Sequence, residues 1–127
     1  MGIKGIHHAA LAVHDLDAAK AFYGGALGFT EMPERPPVAS PGVWYRAGAS
    51  QVHIGVVAGD VPRQLGHVAF EVDDVDAIAT HLEEAGITVR RLDRLPNAGR
   101  QIVVRDPSGN ALEFNQPDSP TSELAEA

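Results

Sequence analysis

The chain has 127 residues, enough for one domain or two tightly fused halves with a real core. Its 44% hydrophobic and 21% charged residues are ordinary for a globular fold, and its net charge of −7 disfavours a nucleic-acid backbone or an anionic membrane surface as partner. Cysteine is absent, which excludes disulfides, thiolate zinc sites and Cys nucleophiles and leaves His and carboxylates to carry any metal or acid–base chemistry.

Ile6 to Val13 alternates like a strand, with Leu11 and Val13 on one face and His8, Ala10 and Ala12 on the other. Asp15 is an N-cap residue for a helix in which Leu16, Ala19, Tyr23 and Leu27 recur at helical spacing, and Gly28 ends it. Phe29 to Met32 starts a second strand. The run from Pro33 to Pro41 carries four prolines, which fix φ and remove donors, so it reads as a loop and a candidate lid. Val43 to Ala47 and Gln51 to Val57 are strands joined by the turn Gly48-Ala49-Ser50, and Ala58 to Leu65 links to the second half. There, strand His67 to Val72 precedes a helix capped by Asp74, with Val75, Ile78, Leu82 and Ala85 inward and Gly86 at its end. Ile87 to Arg91, Gln101 to Arg105 and Ala111 to Asn115 are three further strands, the last two joined by the turn Asp106-Pro107-Ser108-Gly109-Asn110. From Gln116 the chain reads as a loose tail. No apolar run approaches the ~18 residues of a spanning helix and no signal-peptide pattern opens the chain, so a cytoplasmic address is expected. Arg90, Arg91 and Arg94 form the main basic cluster and read as a solvated face.

These two halves are one pattern written twice. Slid by 59 positions, His8 falls on His67, Val13 on Val72, Asp15 on Asp74, Asp17 on Asp76 and Ala18 on Ala77. The halves also end in register, His53-Ile54 against Glu113-Phe114. Strand side chains alternate faces, so parity assigns each residue a side. In all four strands the bulky apolar set takes one face, while His8, His53, His67 and Glu113 take the other among small residues. Three imidazoles and a carboxylate in matching phase suit a divalent ion such as Zn, Fe, Ni, Co or Mn, and His₂-carboxylate sets with open positions serve non-haem iron chemistry. His7 is assigned the opposite face, and His14 and His81 fall on turn or helix surface.

The motifs His8-Ala9-Ala10-Leu11-Ala12-Val13 with Asp15-Leu16, Phe22-Tyr23, Leu27-Gly28-Phe29, Gly66-His67-Val68-Ala69-Phe70, and Asp106 through Phe114 resemble the vicinal oxygen chelate superfamily. That superfamily includes glyoxalase I, methylmalonyl-CoA epimerase, extradiol dioxygenases, and fosfomycin- and bleomycin-resistance proteins. The likeness runs from Ile3 to Phe114. It implies an α+β fold of two tandem βαβββ modules, a curved mixed sheet around a cleft that holds one divalent metal ion. The expected organisation is a single domain over residues 1–115, with modules at about 3–57 and 64–115 and a flexible tail at 116–127. Family metal positions match His8, His67 and Glu113; the fourth, often Glu or Gln, is here His53. The resemblance also implies a homodimer and a small-molecule substrate.

One fold hosts many chemistries, so the residues must choose among them. Proton-shuttling members generally use two carboxylates, and this chain keeps only Glu113 at those positions, the expected catalytic residue. Glu71 shares the His67 face but lies about 13 Å along the strand, too far to act as substitute base. The expected function is therefore a divalent-metal enzyme, lyase, isomerase or dioxygenase, that chelates vicinal oxygens of a small oxygenated metabolite. The alternative is a metal-free binding or antibiotic-sequestering protein of the bleomycin-resistance type. Trp44, Arg46, Gln101 and Arg105 are candidate substrate contacts: if their strand faces line the cleft, Trp44 gives an apolar wall and the arginines hold an anion. The same residues equally suit core, interface or ordinary surface charge.

Overall fold

A computed structural model of the chain describes residues 1–37 and 40–119. The expected tail lies partly beyond them, and so does the middle of the proline-rich loop. The described residues form two compact units, one within Met1–Arg63 together with Asp106–Asn110 and one of Gln64–Arg105 together with residues 111–119.

Unit 1 is built on four strands, β1 (His8–Val13), β2 (Thr30–Glu31), β3 (Gly42–Ala47) and β4 (Ser50–Val56). Their order is β1-β4-β3-β2, with β1 parallel to β4 and the other pairs antiparallel. Between β1 and β2 runs helix α1 (Leu16–Lys20), whose N-cap Asp15 accepts from the Ala18 amide at 3.0 Å. The even 3.6-residue helix expected from the sequence does not persist. From Ala21 to Ala26 the coil widens into a π-helix, and the Leu27 amide bonds back to the Phe22 carbonyl at 2.8 Å. The widening coincides with Gly24-Gly25, where helix propensity is poor. A Cβ at Gly24 would sit 3.2 Å from the Tyr45 hydroxyl, so the glycine lets the coil lie close to that ring. Gly28, at φ +71°, then ends the segment.

Parity sorts unit 1 as expected. Val13, Val43, Tyr45, Val52 and Ile54 are buried on one sheet face, together with Ala19, Phe22 and Tyr23 of the helical segment. One polar cluster interrupts this apolar core. Tyr23, fully buried, donates to Asp106 Oδ2 at 2.6 Å, and Asn110 Nδ2 donates to the same oxygen at 2.9 Å. Asp106 Oδ1 accepts from the amides of Ser108 and Asn110, both at 2.9 Å. Asn110 also donates to the Ala12 carbonyl, and the Ser108 hydroxyl accepts from the His14 amide. Every lone pair of a buried carboxylate is thereby matched with a donor, which is what makes its burial tolerable.

Unit 2 repeats the topology with β5 (Val68–Glu71), α2 (Val75–Glu84), β6 (Arg90–Arg91), β7 (Arg100–Arg105) and β8 (Ala111–Gln116), in sheet order β5-β8-β7-β6. Again the first and last strands are parallel and the rest antiparallel. Asp74 caps α2 through the Ala77 amide at 3.0 Å. At its other end the Ile87 amide reaches the Leu82 carbonyl and the Gly86 amide that of Glu83, with Gly86 at φ +82°. Val75, Ala79 and Leu82 are the buried helix residues; Ala85, expected inward, is exposed because the helix is already capping there. They pack on Ile102, Val104, Leu112 and Phe114. The strand expected over Ile87–Arg91 pairs only at Arg90–Arg91. Arg90, Arg91 and Arg94 are exposed, the solvated face read from the sequence; Arg91 pairs with Glu83 and Arg94 with Asp118, and separately Arg100 pairs with Asp76. No helix among the described residues is long and apolar enough to cross a membrane.

Candidate functional site

In unit 1 the face opposite the core carries His8 on β1, Gln51 and His53 on β4, and Trp44 and Arg46 on β3. Register fixes this: His8 stands opposite Gln51, His53 opposite both Ala10 and Trp44, and Gln51 opposite Arg46. The three rings stack across the strands. Trp44 and His53 lie with centroids 3.7 Å apart and planes 1° from parallel; His53 and His8 follow at 4.1 Å and 16°. His53 Nε2 donates to Gln51 Oε1 at 2.8 Å. Burial first, and then the neighbouring His8, His7 and Arg35, hold the His53 imidazole below its ordinary pKa. His7 does not turn away as parity assigned it. It precedes β1, where alternation no longer binds, and its Nδ1 lies 2.9 Å from His8 Nδ1.

In unit 2, Glu113 of β8 faces Ala69 of β5 and Val103 of β7. His67 stands one residue before β5, not inside it, and its Nε2 lies 3.2 Å from Glu113 Oε1. Glu113 is only 9% exposed, and its Oε2 accepts from Asn115 Nδ2 at 3.3 Å. Asn115 and Gln51 are thus side-chain partners of the candidate ligands that the sequence marked only by phase. The candidate substrate residues take varied positions. Trp44 is part of the stack, and Arg46 lies 3.9 Å from Glu34 in a loose, solvated pair. Gln101 gives its amide to the Ala98 carbonyl at 3.1 Å, and Arg105 is exposed.

The four sequence-predicted metal residues therefore form two pairs, His8 with His53 and His67 with Glu113. No group of three His, Asp or Glu arranged to hold a metal occurs among the described residues. The donor chemistry nonetheless fits a divalent transition ion: imidazole nitrogens and a buried carboxylate already contacted from two sides.

Residues 5–114 match the family model of the glyoxalase/bleomycin resistance protein/dioxygenase superfamily. The chain belongs to that superfamily. It is 37% identical to the uncharacterized protein PA2024 of Pseudomonas aeruginosa, over 91% of this chain and 92% of the relative. Among solved structures, a putative glyoxalase family protein from Bacillus anthracis is 31% identical with a TM-score of 0.84, covering 93% of this chain and 98% of its own. TnmS3, an antibiotic-binding protein from Streptomyces sp. CB03234, is 29% identical with a TM-score of 0.77, covering 93% and 99%. Lactoylglutathione lyase from Agrobacterium tumefaciens is 27% identical with a TM-score of 0.72, covering 91% and 96%. The glyoxalase-like fold implied by the resemblance is thus the observed one, and its structural neighbours include both an enzyme and a binding protein.

Proposed function

We propose that this glyoxalase-superfamily protein is a divalent-metal enzyme acting on a small metabolite with two neighbouring oxygens, its donors drawn from His8, His67, Glu113 and the fourth repeat position, His53. The observation that carries this reading is the His67–Glu113 pair: a buried carboxylate beside an imidazole, where the sequence repeat matches it to His8 and His53. A divalent ion on such donors supplies a Lewis acid that polarises substrate oxygens. Glu113, the one carboxylate of the set, is also its proton acceptor. The Asn115 amide on Oε2 and His67 on Oε1 hold that carboxylate in one orientation, which favours transfer at a fixed point. We further propose that the protein works as a homodimer. Elemental analysis of untagged protein should find about one transition metal per chain, and His67→Ala should lose it. Iron would direct assays to catechol-like substrates and oxygen uptake, and nickel or zinc to hemithioacetals and epimerisations.

A second reading, a metal-free binder, is favoured by the ring stack of Trp44, His53 and His8 and by the likeness to TnmS3. In that case the melting temperature would ignore added metals and EDTA and would rise with a planar drug-like ligand.

A further inference from the structure

The proline-rich loop between β2 and β3 takes no part in the function proposed above. Its two ends are pinned: the Met32 amide donates to the Trp44 carbonyl at 2.8 Å, and the Pro41 carbonyl accepts from the Val56 amide at 3.0 Å. Between them stands Arg35, whose backbone the following Pro36 biases towards an extended form. Its guanidinium lies on the first residue of β3. A Cβ at Gly42 would sit 2.9 Å from Arg35 Nη2 and 3.3 Å from Cζ, so the bare glycine gives the group its seat. Gly42 is in phase with Trp44 and Arg46, which puts that seat on the open face of the sheet. Arg35 is also among the neighbours that depress the His53 pKa on that face.

The guanidinium is poorly matched where it sits. Nη2 donates to the Ser40 carbonyl at 2.8 Å, a neutral acceptor, while Nε is buried and meets no acceptor among the described residues. No carboxylate balances its charge there. Glu34 leans to Arg46 instead, and the positions of β1, β3 and β4 in phase with His8, Trp44 and His53 include no Asp or Glu. That is notable in a chain with 17 acidic residues against 10 basic ones. A buried donor of a cation without an acceptor is costly, and an anionic acceptor offsets the cost with short, charge-assisted bonds. The sheet has room for one. Gly55 stands opposite Gly42 on one side and Ala12 on the other, and a Cβ at Gly55 would meet nothing within 4 Å.

We propose that Arg35 is the anion receptor of this face: it binds the carboxylate or phosphate of a small ligand whose charged end lies over Gly55, beside His53. Both groups offer the same chemistry, paired oxygens that match the guanidinium fork. One oxygen takes Nε, and another replaces the Ser40 carbonyl on Nη2. The proposal goes beyond the metal reading and does not need it, because Arg35, Gly42 and Gly55 are none of the proposed donors.

The test is titration calorimetry of the full-length protein, treated with EDTA and dialysed, with inorganic phosphate and with benzoate. Benzamide serves as the uncharged counterpart of benzoate. At low salt at least one of the two anions should bind at one site per chain, and the tighter one names the group. Arg35→Ala should weaken that binding at least about tenfold, and Arg35→Lys less, since lysine keeps the charge and loses the fork. Gly55→Leu, which fills the open space, should block it. Arg63→Ala removes an exposed charge elsewhere in the unit and should leave the affinity within about twofold. No binding of either anion to wild type would overturn the proposal, and so would wild-type affinity in Arg35→Ala. An equal loss in Arg63→Ala would reduce the effect to net charge, and benzamide binding as tightly as benzoate would reduce it to ring contact; either result overturns it. Should circular dichroism show that Arg35→Ala does not fold, Arg35→Lys and Gly55→Leu decide, and wild-type affinity in both counts against the receptor. Because the protein is metal-free throughout, elemental analysis still decides the metal reading separately.

Discussion

The Tyr23–Asp106 bond shows how one residue can carry more of the fold than its hydrophobic area implies. Its phenol is held far above the usual range near 10, first by burial and then by the bonded carboxylate. Tyr23→Phe keeps the ring and removes one donor from a buried carboxylate, which costs about 1–3 kcal/mol. Urea unfolding should read this as a lower midpoint at unchanged slope. The sign of the pH dependence follows from the raised pKa. The contribution is complete below the unfolded value near 10. Above it the unfolded chain releases a proton that the folded chain keeps, so stability falls as pH rises. The phenylalanine variant should lose part of that alkaline decline. Asp and Tyr were visible as letters, but 83 positions separate them, and no local pattern announces such a bond.

At the scale of elements, local signals were legible where the chain decides its own geometry. Both N-caps stand where short acidic residues precede a helical period, and Gly86 ends α2 where the sequence places it. Asp74→Ala removes the acceptor of the Ala77 amide and should cost about 1 kcal/mol, measurable as a lowered thermal midpoint without change in fold. Periodicity failed where neighbours intervene. The π-helical turn at Ala21–Ala26 brings Gly24 close to the Tyr45 ring, a neighbour more than twenty positions away that local periodicity does not register. Likewise, alternation placed His8 and His53 correctly because both lie inside paired strands, and misplaced His7 because it lies just outside one.

For the whole molecule the question is where each donor pair finds its complement. Light scattering should give twice the 13.4 kDa chain mass if the proposed homodimer holds, and a monomer at all concentrations would sink it. Mixing His8→Ala with His67→Ala then separates two assemblies. If copies share sites, each mixed dimer has one site with both defects and one intact, so metal binding returns. If each chain completes its own site, every site carries a defect and binding stays lost. Bound metal should also raise the melting temperature in proportion to the logarithm of its free concentration, and EDTA should reverse the rise.

The sequence by itself determined the two-fold repeat, the strand–helix–three-strand order of each half, the buried faces and the side of each sheet that carries His8, His53 and Glu113. Those follow from period and parity, which are properties of adjacent residues on one backbone. Only the tertiary structure decided that the Asp106–Asn110 turn belongs with unit 1, that Tyr23 anchors its carboxylate, and that His53 lies flat between Trp44 and His8. Those depend on strand register and on which rotamer a neighbour permits, and both are set by packing among residues far apart in the chain. Parity can say that a histidine faces a given side. It cannot say which neighbouring ring that side chain will stack on, as His53 does on Trp44 and His8.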